Sequence, residues 1–338
     1  MRHFPLMLLA AVMMTLTSCG EDSFLNRREF VDYGDKASEL LLRVDWDTYA
    51  DGRPTGMSLY TYNEEGDGER LVTNDVDSVP LRRPDGRYRL MLFNLSTDEF
   101  GSMNFYRMDD IDSARVMLTT VTQRANRSWD KGVVYQRDPE QLYVALDTLV
   151  FPPELMATRA TDTVRYVVVE RPRPLVSRLV IRVRIENIRG MRSVEGSING
   201  FSAGCRLADG VGTDSTGTHL LDTWKTTVDS VGAENGYITT SITTFGLPPG
   251  SGHKAGDNVL KLAFTMADNT IRVYTFDVGD KFEVVANDEF HSSLSYHMTL
   301  YGQLADVKLP EVKPSDNAGG FNAEVDDWDD GGDYDIVF

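Results

Sequence analysis

The sequence predicts an all-β protein, and three observations carry that prediction. Short runs rich in β-branched and aromatic residues alternate with polar ones at a period of two. Clusters of Gly, Asp, Asn and Pro separate the runs at short intervals. No segment sustains a 3.6-residue apolar period between caps, and a single short helix is expected, around Asp109 to Ala114.

The chain opens with a small basic cluster (Met1, Arg2, His3), then runs apolar from Phe4 to Thr17 apart from Thr15 and Thr17. That length suits the core of a signal peptide and is too short to cross a bilayer as a helix. The stretch ends Leu16-Thr17-Ser18-Cys19, which resembles the lipobox of bacterial lipoprotein signals. The resemblance implies cleavage before Cys19 and acylation of its thiol. Residues 1–18 are thus expected to be a lipoprotein signal peptide, and residues 19–36 a tether. Glu21-Asp22 resemble the acidic surface-export signal of Bacteroidales-type lipoproteins, so the expected place is the outer membrane, lipid-anchored and facing the cell exterior; a solvated linker would explain the same two residues.

Strand signals fill the next hundred residues. Leu40 to Trp46 ends in alternation, and Met57 to Tyr62 is β-rich and runs into the turn cluster Asn63 to Gly68. Gly86 to Asn94, Val116 to Val121 and Leu142 to Leu146 follow the same grammar. Pro152-Pro153 and the polar residues 158–163 read as a junction between an N-terminal unit, 37–157, and a C-terminal unit, 158–310. The second set opens with Thr163 to Val169. Leu179 to Ile185 then alternates Leu, Ile and Val with arginine, giving one dry face and one face carrying Arg178, Arg182 and Arg184. Further strands are expected at 193–201, 236–245, 258–266, 271–278 and 295–304, with a long Gly/Ser/Thr loop from Asp209 to Thr218. The tail, 311–338, carries nine acidic residues against Lys313 alone, and Tyr334, Ile336 and Phe338 alternate at its end.

The 320 residues left by subtracting the leader from 338 suit two domains at a length of about 150 each. A formal charge of −18 excludes nucleic acid and an anionic bilayer surface as electrostatic partners. With Cys19 acylated only Cys205 remains, so no internal disulfide is possible and Cys205 reads as a small buried hydrophobe.

A catalytic constellation is hard to find. His219, His253, His291 and His297 remain after the leader is removed, and none has the i, i+4 spacing of a zinc helix. There is no Gly-x-Ser-x-Gly elbow, and the glycine-rich stretch 250–256 lacks the Ser or Thr that a P-loop needs after its lysine, Lys254. The acidic tail fails the EF-hand template, because Trp328 or Gly331 falls where a ligand is required. No enzyme activity, metal or cofactor is therefore expected. Trp129 and Trp224 lie in polar, loop-like contexts and are the candidate platforms for a glycan, although a Trp in a sandwich is more often packing. Six Asp-Ser/Thr triplets, beginning at Asp77, Asp112, Asp147, Asp162, Asp214 and Asp229 and ending on an apolar residue or, at Thr216, on threonine, resemble Bacteroidales O-glycosylation sites.

Taken together, the lipobox, Val44-Asp45-Trp46, the strand from Gly86 to Asn94, and Arg178 to Ile188 followed by Ser193 to Gly204 resemble the Bacteroidales fimbrillin and Mfa-like group, and lipoproteins of that order that carry a domain of unknown function. The resemblance implies two tandem transthyretin-like (Greek-key) β-sandwiches in a pilus anchor, tip or accessory subunit acting in adhesion or assembly. It also implies association by β-strand addition to other fimbrial subunits, with Tyr334, Ile336 and Phe338 as the candidate donor strand. Polymerising members of the group are processed after a basic residue, for which Arg27-Arg28 would serve; a dibasic pair in a tether is also common without that role. A surface glycan-binding lipoprotein is the alternative reading.

Overall fold

The computed structural model describes residues 37–49, 52–121, 127–152, 166–230, 233–250, 254–286, 296–300 and 307–311. These residues contain strands and short 3-10 turns and no α-helix, so the all-β expectation is borne out. In chain order the first ten strands are β1 (Ala37–Val44), β2 (Met57–Tyr62), β3 (Gly68–Thr73), β4 (Ser78–Pro84), β5 (Gly86–Phe93), β6 (Met103–Tyr106), β7 (Arg115–Leu118), β8 (Tyr135–Gln136), β9 (Tyr143–Phe151) and β10 (Tyr166–Glu170). Then come β11 (Arg173–Pro174), β12 (Ser177–Glu186), β13 (Met191–Ser202), β14 (Gly204–Arg206), β15 (Thr216–Leu221) and β16 (Lys225–Val228). The last six are β17 (Gly236–Thr244), β18 (Val259–Met266), β19 (Ile271–Asp277), β20 (Glu283–Ala286), β21 (Tyr296–Leu300) and β22 (Val307–Lys308).

The N-terminal half stacks three layers. A small sheet ordered β10-β1-β4 faces a central sheet ordered β11-β9-β5-β2-β3, and a third sheet, β14-β7-β6, covers the other side. Alternation explains the central position. In β5, Leu90 and Leu92 point to the core shared with Leu40, Leu42 and Leu81, whereas Met91 and Phe93 point to a second core with Val116, Leu207 and Phe245. All six residues of β2 are buried for the same reason: both faces of this sheet are covered.

The C-terminal half packs a sheet ordered β16-β17-β12-β21-β20 on a sheet ordered β19-β18-β13-β15-β8. Leu179, Ile181, Val183 and Ile185 of β12 are fully buried between them. Each is worth about 1.5–3 kcal/mol of transfer out of water. The intervening Arg178 and Arg182 are exposed, as the sequence alternation predicts. A bulge between Asn199 and Phe201 lets both Ile198 and Phe201 enter this core, because Gly200 takes up the extra residue at φ +87°.

Two short strands cross between the halves. β8 pairs parallel to β15 in the C-terminal half, and β14 pairs antiparallel to β7 in the N-terminal half. The approach of β14 is so close that a side chain at Gly204 would collide with the carbonyl of Val116 and the sulfur of Met117.

Three observations depart from the sequence reading. The described part of the run expected to open the second set of strands, from Tyr166, lies instead on the N-terminal sheet, where β10 pairs parallel to β1 (Leu41 with Val167, Arg43 with Val169). The expected helix at 109–114 is a series of turns. There the Asp110 carboxylate accepts hydrogen bonds from the Asp112 N–H (3.0 Å) and the Ser113 hydroxyl (2.6 Å), and Arg107 takes a left-handed φ of 56°. Within the loop expected from Asp209 to Thr218, β15 has already begun at Thr216.

Candidate interaction surfaces

A sandwich that acts through its main chain must leave a sheet edge open. β10 is such an edge, bonded to β1 on one side and to no strand on the other among the described residues. Val167 and Val169 stand 47% and 55% exposed on its outer side. Tyr166–Val169 holds no charge and no proline, the residues that ordinarily guard an edge. Two other exposed edges are better guarded: β19 carries Arg272 and Asp277 beside Ile271 and Val273, and β16 begins at Lys225, whereas the uncharged edge strand β6 is one residue shorter than β10.

The open strand ends on a buried acid. The Glu170 carbonyl accepts the Asp45 N–H at 2.8 Å, which continues the ladder, while its side chain turns inward beside Asp147 of β9. Burial, and then the adjoining Asp147 carboxyl, push Glu170 up to about 8, so Glu170 is mostly protonated at neutral pH. Its Oε1 has no hydrogen-bond partner among the described residues. Nothing in the local sequence marks Glu170; its only signal is an acid closing an apolar strand.

The two candidate tryptophans meet different fates. Trp224 packs against the C-terminal core and donates its indole N–H to the Leu221 carbonyl at 2.9 Å. Trp129 joins none of the described core clusters; half-buried, it donates to Glu195 Oε2 at 3.3 Å, which also receives Arg127 Nε at 3.2 Å. Next to it, sequence reasoning missed a buried cluster. Asp130 accepts the hydroxyls of Tyr135 (2.7 Å) and Ser197 (2.9 Å) and the Lys261 ammonium. Burial alone would raise the Asp130 carboxyl, but these three donors outweigh it and hold the group below its usual range. The cluster fixes the segment leading into β8 onto β13 and β18, so it is a structural clamp. The residues lie far apart in the chain, and no spacing in the sequence announces them.

Elsewhere the chemistry is sparse. His219 is fully buried with Nδ1 3.0 Å from Asp138 Oδ1, and burial pushes the Cys205 thiol up to about 12, far from a reactive thiolate. A cleft of about 400 Å³ lies at one end of the central sheet, where Arg89 forms a two-bond pair with Asp112 (2.9 and 2.7 Å) between Tyr62, Glu64 and Arg87. Among the described residues no three His, Cys, Asp or Glu side chains converge to hold a metal. No helix among them is long and apolar enough to cross a membrane. Cys19 and the candidate donor residues Tyr334, Ile336 and Phe338 lie outside the described residues, as do Arg27-Arg28.

Comparison with known proteins agrees with this architecture. The chain is 23% identical over 344 aligned residues to a Bacteroides ovatus protein named "Putative fimbrium anchoring subunit Fim4B", covering 97% of this chain and 96% of that one. A crystal structure described as a "putative adhesin" from the same species superposes with a TM-score of 0.54 at 18% identity, over 83% of this chain and 95% of that chain. The fimbrial anchor protein Mfa2 from Porphyromonas gingivalis aligns over 78% of this chain and 95% of its own, at 12% identity and a TM-score of 0.41. The resemblance to the Bacteroidales fimbrillin and Mfa-like group is thereby borne out. Residues 25–222, from the expected tether through β15, match the family described as "Domain of unknown function (DUF5119)", and the chain belongs to that family.

Proposed function

We propose that this chain is a non-catalytic fimbrial subunit of anchor or accessory type, held at the cell surface and joined to neighbouring subunits by β-strand addition. The observation that carries the mechanism is the open, unguarded β10 edge, with Val167 and Val169 outward. End-to-end similarity to a protein named as a fimbrium anchoring subunit supports the role. Acylation of Cys19 in the outer membrane would place the described sandwiches just beyond a short tether. The alternating residues Tyr334, Ile336 and Phe338 are the proposed strand to lend.

Two tandem sandwiches remain the domain reading. The pairing of β10 with β1 and of β11 with β9 argues for extending the first unit to about Pro174. Replacing Val167 and Val169 by lysine would charge the edge without touching a core, because both side chains are largely exposed. Co-purification with fimbrial subunits should then be lost while thermal stability is kept. Undiminished co-purification would reject β10 as the acceptor. The glycan-binding alternative rests on Trp129 alone, since Trp224 is committed to the core.

A further inference from the structure

The outer face of the β16-β17-β12 part of the C-terminal sheet is cationic in a chain of charge −18. Alternation puts Arg178, Arg182 and Arg184 of β12 on that face, with Tyr237 and Ser241 of β17 between them by register. Lys225 at the β16 edge and Lys308 of β22, whose register partner is Glu186, extend it in both directions. Arg182 stacks on the Tyr237 ring at 3.9 Å and has no carboxylate partner among the described residues. Among the described residues Arg178 reaches only the Ser241 hydroxyl, at 3.3 Å. The acids on this part of the face are Glu186 and Asp229, the latter 3.9 Å from Arg184. A guanidinium placed over a ring at this distance can keep N–H donors free for a carboxylate.

The end of the described chain fixes where the acidic tail begins. β22 runs parallel to the last residues of β12, Leu309 donates its N–H to the Glu186 carbonyl at 3.0 Å, and the Asn187 side chain holds the Leu309 carbonyl at 3.0 Å. The tail therefore leaves from one end of the cationic face. From Arg178 to Glu186 that face is about 26 Å long, at about 3.3 Å per strand residue. The 28 residues from Glu311 to Phe338 could span about 90 Å extended. Asp326, Asp327, Asp329, Asp330, Asp333 and Asp335 can thus fold back over the whole face with chain to spare.

We infer that the arginine face of this sheet is the docking site for the chain's own acidic tail, residues 311–338. Each exposed ion pair is weak and screened by salt, but tethering supplies the tail at high local concentration and several pairs form along one segment. This docking rests on charge and place of exit, not on strand donation, and would hold the tail close to its own molecule until a partner competes for it.

The test is photo-crosslinking in the full chain, with benzoylphenylalanine in place of Trp328 and the products mapped by mass spectrometry. Intramolecular links to β12, β16 and β17 are expected. They should fall about tenfold or more at about 1 M salt, where the screening length is only about 3 Å. They should fall likewise in Arg178→Glu with Arg182→Glu, and return when Asp326, Asp327, Asp329 and Asp330 are also changed to lysine. Links to other surfaces, links indifferent to both charge reversals, or links that form only between molecules and grow with concentration would each overturn the docking. The last result would favour donation to a second copy.

Discussion

Glu170 makes the stability of the open edge depend on pH, and the sign follows from its environment. Its ordinary value of 4.5 is raised to about 8 in the folded chain, by burial and then by the Asp147 carboxyl. A raised acid contributes fully below its unfolded value and loses that contribution as pH climbs toward the folded one. Linkage over that interval gives a cost of about 1 kcal/mol at pH 5 and about 3 kcal/mol at pH 7, rising further towards pH 8. Glu170→Gln keeps the shape and removes the charge. Urea unfolding of both proteins between pH 5 and pH 8 is the assay. The variant should lead by only about 1 kcal/mol at pH 5 and by roughly 3 kcal/mol at neutral pH. Hydrogen exchange should also show β10 amides in the wild type losing protection as pH rises, after correction for the intrinsic rate. Parallel pH profiles for the two proteins would refute the account of Glu170 as a buried, raised carboxyl.

Three further outcomes are expected. Asp130→Ala should cost about 3 kcal/mol near neutral pH, because Lys261 and Tyr135 lose their buried acceptor; the gap should narrow as pH falls and the wild-type carboxylate, held below its usual range, is finally protonated. Equal urea midpoints at pH 7 would remove the clamp from the account. Gly204→Val should lower stability by about 2–4 kcal/mol, since the side chain meets the Val116 carbonyl and Met117, and a melting temperature unchanged from wild type would mean that β14 pairing is dispensable. Trp224→Ala should cost about 2 kcal/mol and Trp129→Ala under about 1 kcal/mol, judged by the same unfolding curves; the reverse order would contradict the packing described.

How much of this is legible in the sequence depends on the kind of information each residue carries. A period of two states which face a side chain takes, so the dry face of β12 and its arginines follow directly from Leu179 to Ile185. The same period says nothing about which strand is the neighbour. Val167 to Val169 read as a strand, but the parallel pairing with β1, more than a hundred residues earlier, is invisible there, and the polar junction sets the run with the wrong partners. β8 and β14, of two and three residues, are too short to hold any period. Composition at 109–114 suits a helix and a turn alike; the Asp110 side chain decides for the turn by bonding locally. Trp129 and Trp224 sit in similar polar contexts, and only tertiary placement separates a ring laid against the core from one left on a sheet surface. The carboxyl pair of Glu170 and Asp147, and the addition of Lys225 and Lys308 to the arginine face, likewise arise from register between distant strands.

The parallel run of β10 along β1 has a mechanical consequence. A pull on the segment preceding Ala37, resisted by anything following Glu170, drags the two strands in opposite directions along their common axis. The five register pairs from Leu40–Tyr166 to Val44–Glu170 are then strained simultaneously, in shear, and none can be peeled away ahead of the others. An antiparallel pair loaded through its adjoining ends would instead unzip one rung at a time. For a molecule tethered at its start and tugged from further along, this geometry places the strongest resistance at the first strand to feel the load.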